Sequence, residues 1–194
     1  EDILSFHIET RGVPDVAVGN KVICSLSRSF GAERANEFMQ ELEQLGFSPN
    51  EITFGILIGQ TSFEGSVKNA FIFLSEMLSR NLKPDVNTCN ALMSALFMEG
   101  LWKQSLDVLV EMNDWGVIPK LSTFRVLLSG LLKARQFGQV KAIVGEMAGR
   151  GLIRLSLPED HLSMALTSLG INSLAIKVRR DNDMQFSKTE FFDD

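Results

Sequence analysis

The sequence predicts an all-α solenoid of helix-turn-helix repeats, each 35 residues long. Three observations carry that expectation: four prolines stand 35 residues apart, each interval holds two helical apolar stripes, and Gly or Asn precedes each later proline at a fixed distance. The prolines are Pro14, Pro49, Pro84 and Pro119. Self-similarity at such a period marks repeat architectures, because a lone helix hairpin cannot bury both faces and must stack on its neighbours. A period one residue shorter would have drifted by three residues across these prolines.

Other columns hold the same register. Gly46, Asn81 and Gly116 precede the later prolines, and Gly151 continues the series. Ahead of them run Glu41-Leu42, Glu76-Met77, Glu111-Met112 and Glu146-Met147. Within one unit, Val86, Cys89, Leu92, Met93, Leu96 and Phe97 recur at helical spacing and predict one buried stripe. Gly100 marks the turn, and a second stripe is expected from Leu101, Trp102, Ser105, Leu106, Leu109 and Met112. Gly116 then ends the helix in the left-handed region and Pro119 blocks its continuation.

In chain order, residues 1–15 are expected to form the second helix of a truncated preceding repeat, and the repeats to occupy 16–50, 51–85, 86–120 and 121–155. Beyond them the register fails. Ser156-Leu157-Pro158-Glu159 reads as a capping box, so residues 156–178 are expected to form a capping helix region and 179–194 a charged tail.

Composition narrows the function classes. The net charge of −5 argues against indiscriminate polyanion binding, yet residues 121–155 carry six Lys/Arg against the single acid Glu146. The longest uncharged run, Leu162–Ile176, is too short and too polar for a membrane span. Cys24 and Cys89 define no disulfide framework. Enzyme signatures are missing: His7, His161, Cys24 and Cys89 lack metal-ligand spacing, and no nucleophile elbow or dinucleotide loop occurs. No catalytic residue, metal or cofactor is expected.

The segments Asn50-Glu-Ile-Thr-Phe-Gly-Ile-Leu-Ile and Asp85-Val-Asn-Thr-Cys-Asn-Ala-Leu-Met, with Glu-Met and Gly-x-x-Pro at the far end, resemble pentatricopeptide repeats, and their even spacing resembles the P-type arrays. The resemblance covers residues 1–155. It implies a right-handed superhelix, in a longer array, that binds single-stranded RNA at one nucleotide per repeat. Family members act in plant organelles on RNA processing, splicing, stability or translation; the mitochondrion is favoured here over the chloroplast, and a monomer is expected.

In the family the fifth and last residues of a unit choose the base and the second packs against it. Carried onto this chain, the base-selecting pairs are Asn20 with Asn50, Gly55 with Asp85, Asn90 with Lys120, and Arg125 with Leu155. The packing residues are Ala17, Ile52, Asn87 and Ser122, and Arg28 and Lys133 stand where the family brings a cation to phosphate. Asn20 with Asn50 resembles a pyrimidine reader favouring cytosine. Lys120, Gly55, and Arg125 with Leu155 depart from the usual residues. A protein-interaction scaffold is the alternative, with other proteins rather than RNA as partners.

Plainer roles compete at several positions. Asp15, Asn50 and Asp85 precede helix starts, where an N-cap selects the same residue types. Asn20 and Asn90 fall mid-helix, where Asn is disfavoured by up to about 0.7 kcal/mol relative to Ala, so a solvated or functional face is expected to hold them. The column Glu41, Glu76, Glu111 and Glu146 reads as architecture or a solvated face, and Trp102 and Phe137 as core.

Overall fold

The first three helix pairs begin where a side-chain oxygen meets free backbone N–H groups. Asp15 Oδ1 accepts from Val18 N at 2.8 Å, Asn50 Oδ1 from Ile52 N and Thr53 N at 3.1 and 3.2 Å, and Asp85 Oδ1 from Thr88 N at 2.7 Å. All three expected N-caps therefore form. The computed structural model describes residues 14–152; the expected preceding helix over 1–15 lies outside them except for its last two residues, as do residues 156–178, the tail and Leu155.

Among the described residues there are seven helices and no strand. They are α1 (Val16–Gln44), α2 (Glu51–Phe63), α3 (Val67–Ser79), α4 (Val86–Met98), α5 (Trp102–Asp114), α6 (Leu121–Lys133) and α7 (Phe137–Gly149). None of them is long and apolar enough to cross a membrane. The starts of α1, α2, α4 and α6 are 35 residues apart.

The period is also written in the helix ends. Phe47, Leu82, Val117 and Leu152 donate their backbone N–H groups to the carbonyls of Leu42, Met77, Met112 and Met147, at 2.7 to 3.1 Å. The preceding Gly46, Asn81, Gly116 and Gly151 have φ between 59° and 99°. This six-to-one closure with a left-handed residue satisfies the last carbonyls and turns the chain toward the next pair. The same closure joins the two helices of a pair, through Ser66 N to Thr61 O, Leu101 N to Leu96 O, and Gln136 N to Leu131 O.

The first pair breaks this rule. Helix runs on through Phe30 and resumes at once after Gly31, whose φ of 90° and ψ of 170° bend α1 into two arms. Only a residue without Cβ takes that conformation cheaply. The Ala32 N–H left open by the break is closed by Glu64 Oε1 at 3.0 Å, from the end of α2.

The chain divides into two compact units, residues 1–123 and 124–194, with the division inside α6. In the first, α2 packs against α1, α3 and α4, and α4 against α3 and α5. Contacts thus run between successive pairs, as stacked hairpins of an α-solenoid require. Its core holds Ile23, Met39, Leu42, Phe54, Leu57 and Met77, all with no exposure. In the second unit Phe124, Leu127, Leu128, Val140, Val144 and Met147 are buried.

The glutamate column is architectural where its partners are present. Arg80 bridges Glu76 and Glu43 and lies 5.3 Å from the ring centroid of Phe54. Two repeats on, Arg150 pairs with Glu146 at 2.7 Å and lies 5.7 Å from Phe124. The hydrogen bond Arg80 donates to Glu43, with that to Glu76, raises the Arg80 pKa above the ordinary value against the opposing effect of burial.

Two core assignments need correction. Phe137 is 39% exposed and Trp102 is half-buried, with the Lys103 ammonium 5.6 Å from its ring. Leu101, placed in the second apolar stripe, is also 39% exposed and serves as the N-cap of α5. These positions open a second helix, ahead of the turns whose Ser105, Val108, Leu109 and Met112 carry the buried face.

Candidate nucleic-acid interface

Asn20 lies in the second turn of α1 and Asn50 caps α2. Their side chains meet: Asn20 Nδ2 donates to Asn50 Oδ1 at 3.1 Å. The Thr53 hydroxyl, in the first turn of α2, donates to Asn20 Oδ1 at 2.6 Å and accepts from Asn50 N at 3.1 Å. Asn20 is only 7% exposed, so the solvated face expected to hold it is absent. A buried amide needs partners for both its ends, and this one finds them on the following helix.

The chemistry of the cap fixes which way Asn50 faces. Ile52 N, Thr53 N and Asn20 Nδ2 all donate toward one atom, which must be the oxygen. The Asn50 NH₂ therefore points elsewhere. Asn20 Oδ1 is engaged by Thr53 in a buried bond, whereas the contact of Asn20 Nδ2 is only part-buried, so N–H groups are what the pair presents. Cap and candidate reader coincide in Asn50, because the cap uses the oxygen and leaves the amide.

The other expected pairs are assembled differently. Gly55 contributes no side chain, and a Cβ built on it would stand 3.1 Å from Thr88 Oγ1. Asp85 Oδ1 is held by Thr88 through both its N–H and its hydroxyl at 2.7 Å, while Oδ2 accepts from Asn87 Nδ2 at 3.4 Å. Asn90 is half-buried and turns to Ser122, donating from Nδ2 to Oγ at 3.2 Å rather than meeting Lys120. Asn90 Oδ1 is buried without a hydrogen-bond partner among the described residues. Lys120 has no cap oxygen in its side chain, and its backbone N–H reaches Thr123 Oγ1 at 3.3 Å. Arg125 is exposed on α6, and its expected partner Leu155 lies outside the described residues.

All four packing residues, Ala17, Ile52, Asn87 and Ser122, are exposed, Ile52 by 61%. Arg28 and Lys133 are exposed as well. Between them in the repeat register stand Phe63 and Met98, 82% and 71% exposed, where a continuous row of cations would place two more. Each is followed by an acid, Glu64 or Glu99.

Residue-by-residue reading overlooked a threonine column. Thr53, Thr88 and Thr123 are 35 residues apart, buried, and placed three residues after the candidate readers at the ends of the units. Their periodicity was available as a signal; their role depends on a contact with the preceding first helix.

Of the two free cysteines, Cys89 is the buried one. Burial, with the Asp85 carboxylate as the smaller cause, pushes the Cys89 thiol up to about 12. Since the thiolate is the reactive form, Cys89 is expected to stay unmodified by iodoacetamide at pH 8 in the folded chain and to react once the chain is unfolded. Mass spectrometry of the Cys89 peptide checks this, and rapid native labelling would contradict the burial.

Helix hairpins recurring every 35 residues and stacked within the first unit, with the Asn50 cap meeting the preceding first helix at Asn20, define a helical repeat protein. The sequence profiles of the PPR repeat family and the PPR repeat match residues 84–133 and 122–152. A mitochondrial pentatricopeptide repeat-containing protein of Arabidopsis thaliana is 60% identical over all 194 residues, and the chain spans 16% of that relative's length. Among solved structures, the maize pentatricopeptide repeat protein PPR10 matches 98% of this chain and 26% of its own at a TM-score of 0.72 and 21% identity. PPR10 in complex with an 18-nt psaJ RNA element matches 84% of this chain and 24% of its own, at 0.64 and 24% identity. The PPR domain of Arabidopsis thaliana protein-only RNase P 1, in complex with tRNA, matches 84% of this chain and 85% of its own, at 0.65 and 17% identity. The chain belongs to the pentatricopeptide repeat family.

Proposed function

We propose that this chain is a single-stranded RNA-binding segment of a longer P-type pentatricopeptide repeat protein acting on mitochondrial transcripts, with Asn20 and Asn50 reading one base. The observation that carries the reading is the donor-only character of the Asn20–Asn50 pair, flanked by exposed Ala17 and Ile52. Single-stranded RNA offers unstacked base edges to such side chains. Cytosine presents two adjacent acceptors, N3 and O2, whereas uracil places an N3–H donor between its acceptors. A pair that can only donate therefore favours cytosine. The mitochondrial relative and the RNA-bound repeat structures support the location and the ligand class. The unit boundaries 16–50, 51–85, 86–120 and 121–155 form part of this proposal, and the chain acts by binding rather than by catalysis.

An opposed donor left unpaired costs about 1–3 kcal/mol, so roughly tenfold discrimination between cytosine and uracil is expected at the matching nucleotide. Asn20→Ala should erase it. Asn50→Asp keeps the cap oxygen but exchanges the free NH₂ for an acceptor, and should turn the preference toward uracil. Anisotropy titrations with short oligonucleotides differing at one base measure both, and unchanged cytosine preference in either variant contradicts the assignment.

Phe63 and Met98 favour a second reading, a protein-interaction surface, because two exposed apolar side chains followed by acids repel rather than hold phosphate. Salt separates the two readings. RNA held through Arg28, Arg125 and Lys133 weakens steeply as salt rises, since each neutralised phosphate releases counterions; capture of a protein on an apolar surface does not.

A further inference from the structure

We infer that Thr53 is a positioning residue that fixes the polarity of the Asn20 amide, and so makes the Asn20–Asn50 pair a donor-only reader. The inference rests on the base-reading role proposed for that pair. An amide with its oxygen and nitrogen exchanged would fill the same volume, so shape alone does not choose between the two orientations. Hydrogen bonding does. The Thr53 hydroxyl receives the Asn50 backbone N–H at 3.1 Å, and of the two acceptors within reach of its own proton Asn20 Oδ1 at 2.6 Å is closer than the already occupied Asn50 Oδ1 at 3.2 Å, so the proton goes to Asn20. Asn20 Nδ2 is then left facing Asn50 Oδ1, already committed as the acceptor of the α2 cap. Four groups on two helices form a closed circuit in which each bond dictates the direction of the next.

The chain supplies its own comparison. At the Asn90 position the following unit also has a buried threonine, Thr123, and its hydroxyl again accepts the backbone N–H of the preceding residue pair, from Lys120 at 3.3 Å. Lys120, however, offers no side-chain oxygen to receive the Asn90 amide. There the circuit stays open: Asn90 Nδ2 has turned to Ser122, and Asn90 Oδ1 is buried without a partner among the described residues. A threonine alone therefore does not orient the reader. It does so only with a cap acceptor, which in Asn50 holds the nitrogen end while Thr53 holds the oxygen end.

The test uses the full chain and oligonucleotides carrying cytosine or uracil at the nucleotide facing Asn20. Thr53→Val removes the hydroxyl while keeping the branched shape. It should reduce the cytosine-to-uracil affinity ratio from about tenfold to below about threefold, with affinity for a uracil oligonucleotide nearly unchanged. Thr53→Ser, which keeps the hydroxyl, should restore the ratio. A merely structural role would instead lower both affinities together and leave their ratio intact. In the RNA-free chain, Thr53→Val should also speed hydrogen exchange of the Asn20 side-chain NH₂ by several-fold, and Thr53→Ser should not. If the wild-type chain discriminates and Thr53→Val discriminates equally, the positioning role is overturned while base reading stands. If the wild-type chain fails to discriminate at all, base reading falls, and the positioning role falls with it.

Discussion

Phe54→Ala is expected to cost the first unit about 3–5 kcal/mol, the range for emptying a buried aromatic site. Phe54 has no exposure and lies in a core shared with Ile23, Leu57 and Met77. The backbone cannot collapse into the space, because α2 is pinned by α1 on one side and α4 on the other. The ring also supports the Arg80 guanidinium, which ties Glu43 of one repeat to Glu76 of the next. That half-exposed network adds at most about 1 kcal/mol, since water and salt screen it; the cavity dominates. Because a solenoid transmits stability through nearest-neighbour interfaces, the loss should appear as an early transition in urea rather than a uniform shift of the whole curve. Far-ultraviolet circular dichroism measures it. A loss below about 1 kcal/mol would mean the core is far looser than its burial implies.

Asn50→Ala should be nearly as damaging, by about 2–4 kcal/mol, although the residue is only half-buried. Losing an N-cap accounts for about 0.5–2 kcal/mol. The remainder comes from Asn20, whose buried Nδ2 then has no acceptor, at about 1–3 kcal/mol. Asn50→Asp isolates the two effects, for it keeps an oxygen that both caps α2 and receives Asn20 Nδ2, and should lose less than about 1 kcal/mol. Equal losses in the two variants would show that the oxygen at this position matters little to either group. A protein can therefore keep its cap while changing its base preference, and the two roles separate at the level of single atoms.

Much of the fold was legible in the sequence because backbone chemistry repeats with the period. The proline spacing, the glycine or asparagine column and the Glu-Met column located the helix ends, and the same six-to-one closure ends each second helix. Gly31 was not legible in this way. It stands one residue past the register of Gly65 and Gly100, and its extended ψ bends one helix instead of closing it. The short separation between Gly19 and the Phe47 ring was hidden for a related reason. A built Cβ on Gly19 would stand 2.4 Å from Phe47 Cε2, a contact set by how α1 meets its own return segment.

The candidate site was legible as columns and illegible as chemistry. Pairing Asn20 with Asn50 placed together two side chains that do touch. The same rule paired Asn90 with Lys120, yet Asn90 turns to Ser122, because an ammonium side chain cannot accept the amide's proton. Burial of Asn20 was missed because mid-helix asparagine is usually exposed. Here the compensating acceptor and donor come from the cap and first turn of α2, thirty residues or more away. Half-buried Trp102 and exposed Phe137 show the converse error, since apolar character at the start of a second helix does not ensure a covering neighbour.

A double-substitution cycle on base discrimination tests most directly whether Asn20 and Asn50 act as one reader. The cytosine-to-uracil affinity ratio is measured for the wild-type chain, Asn20→Ala, Asn50→Asp and the double variant. Asn50→Asp is expected to swing the ratio toward uracil when Asn20 is present and to move it little when Asn20 is absent, a coupling of about 0.5–3 kcal/mol. An equal swing in both backgrounds would mean the two side chains act independently, and the shared donor face would not exist.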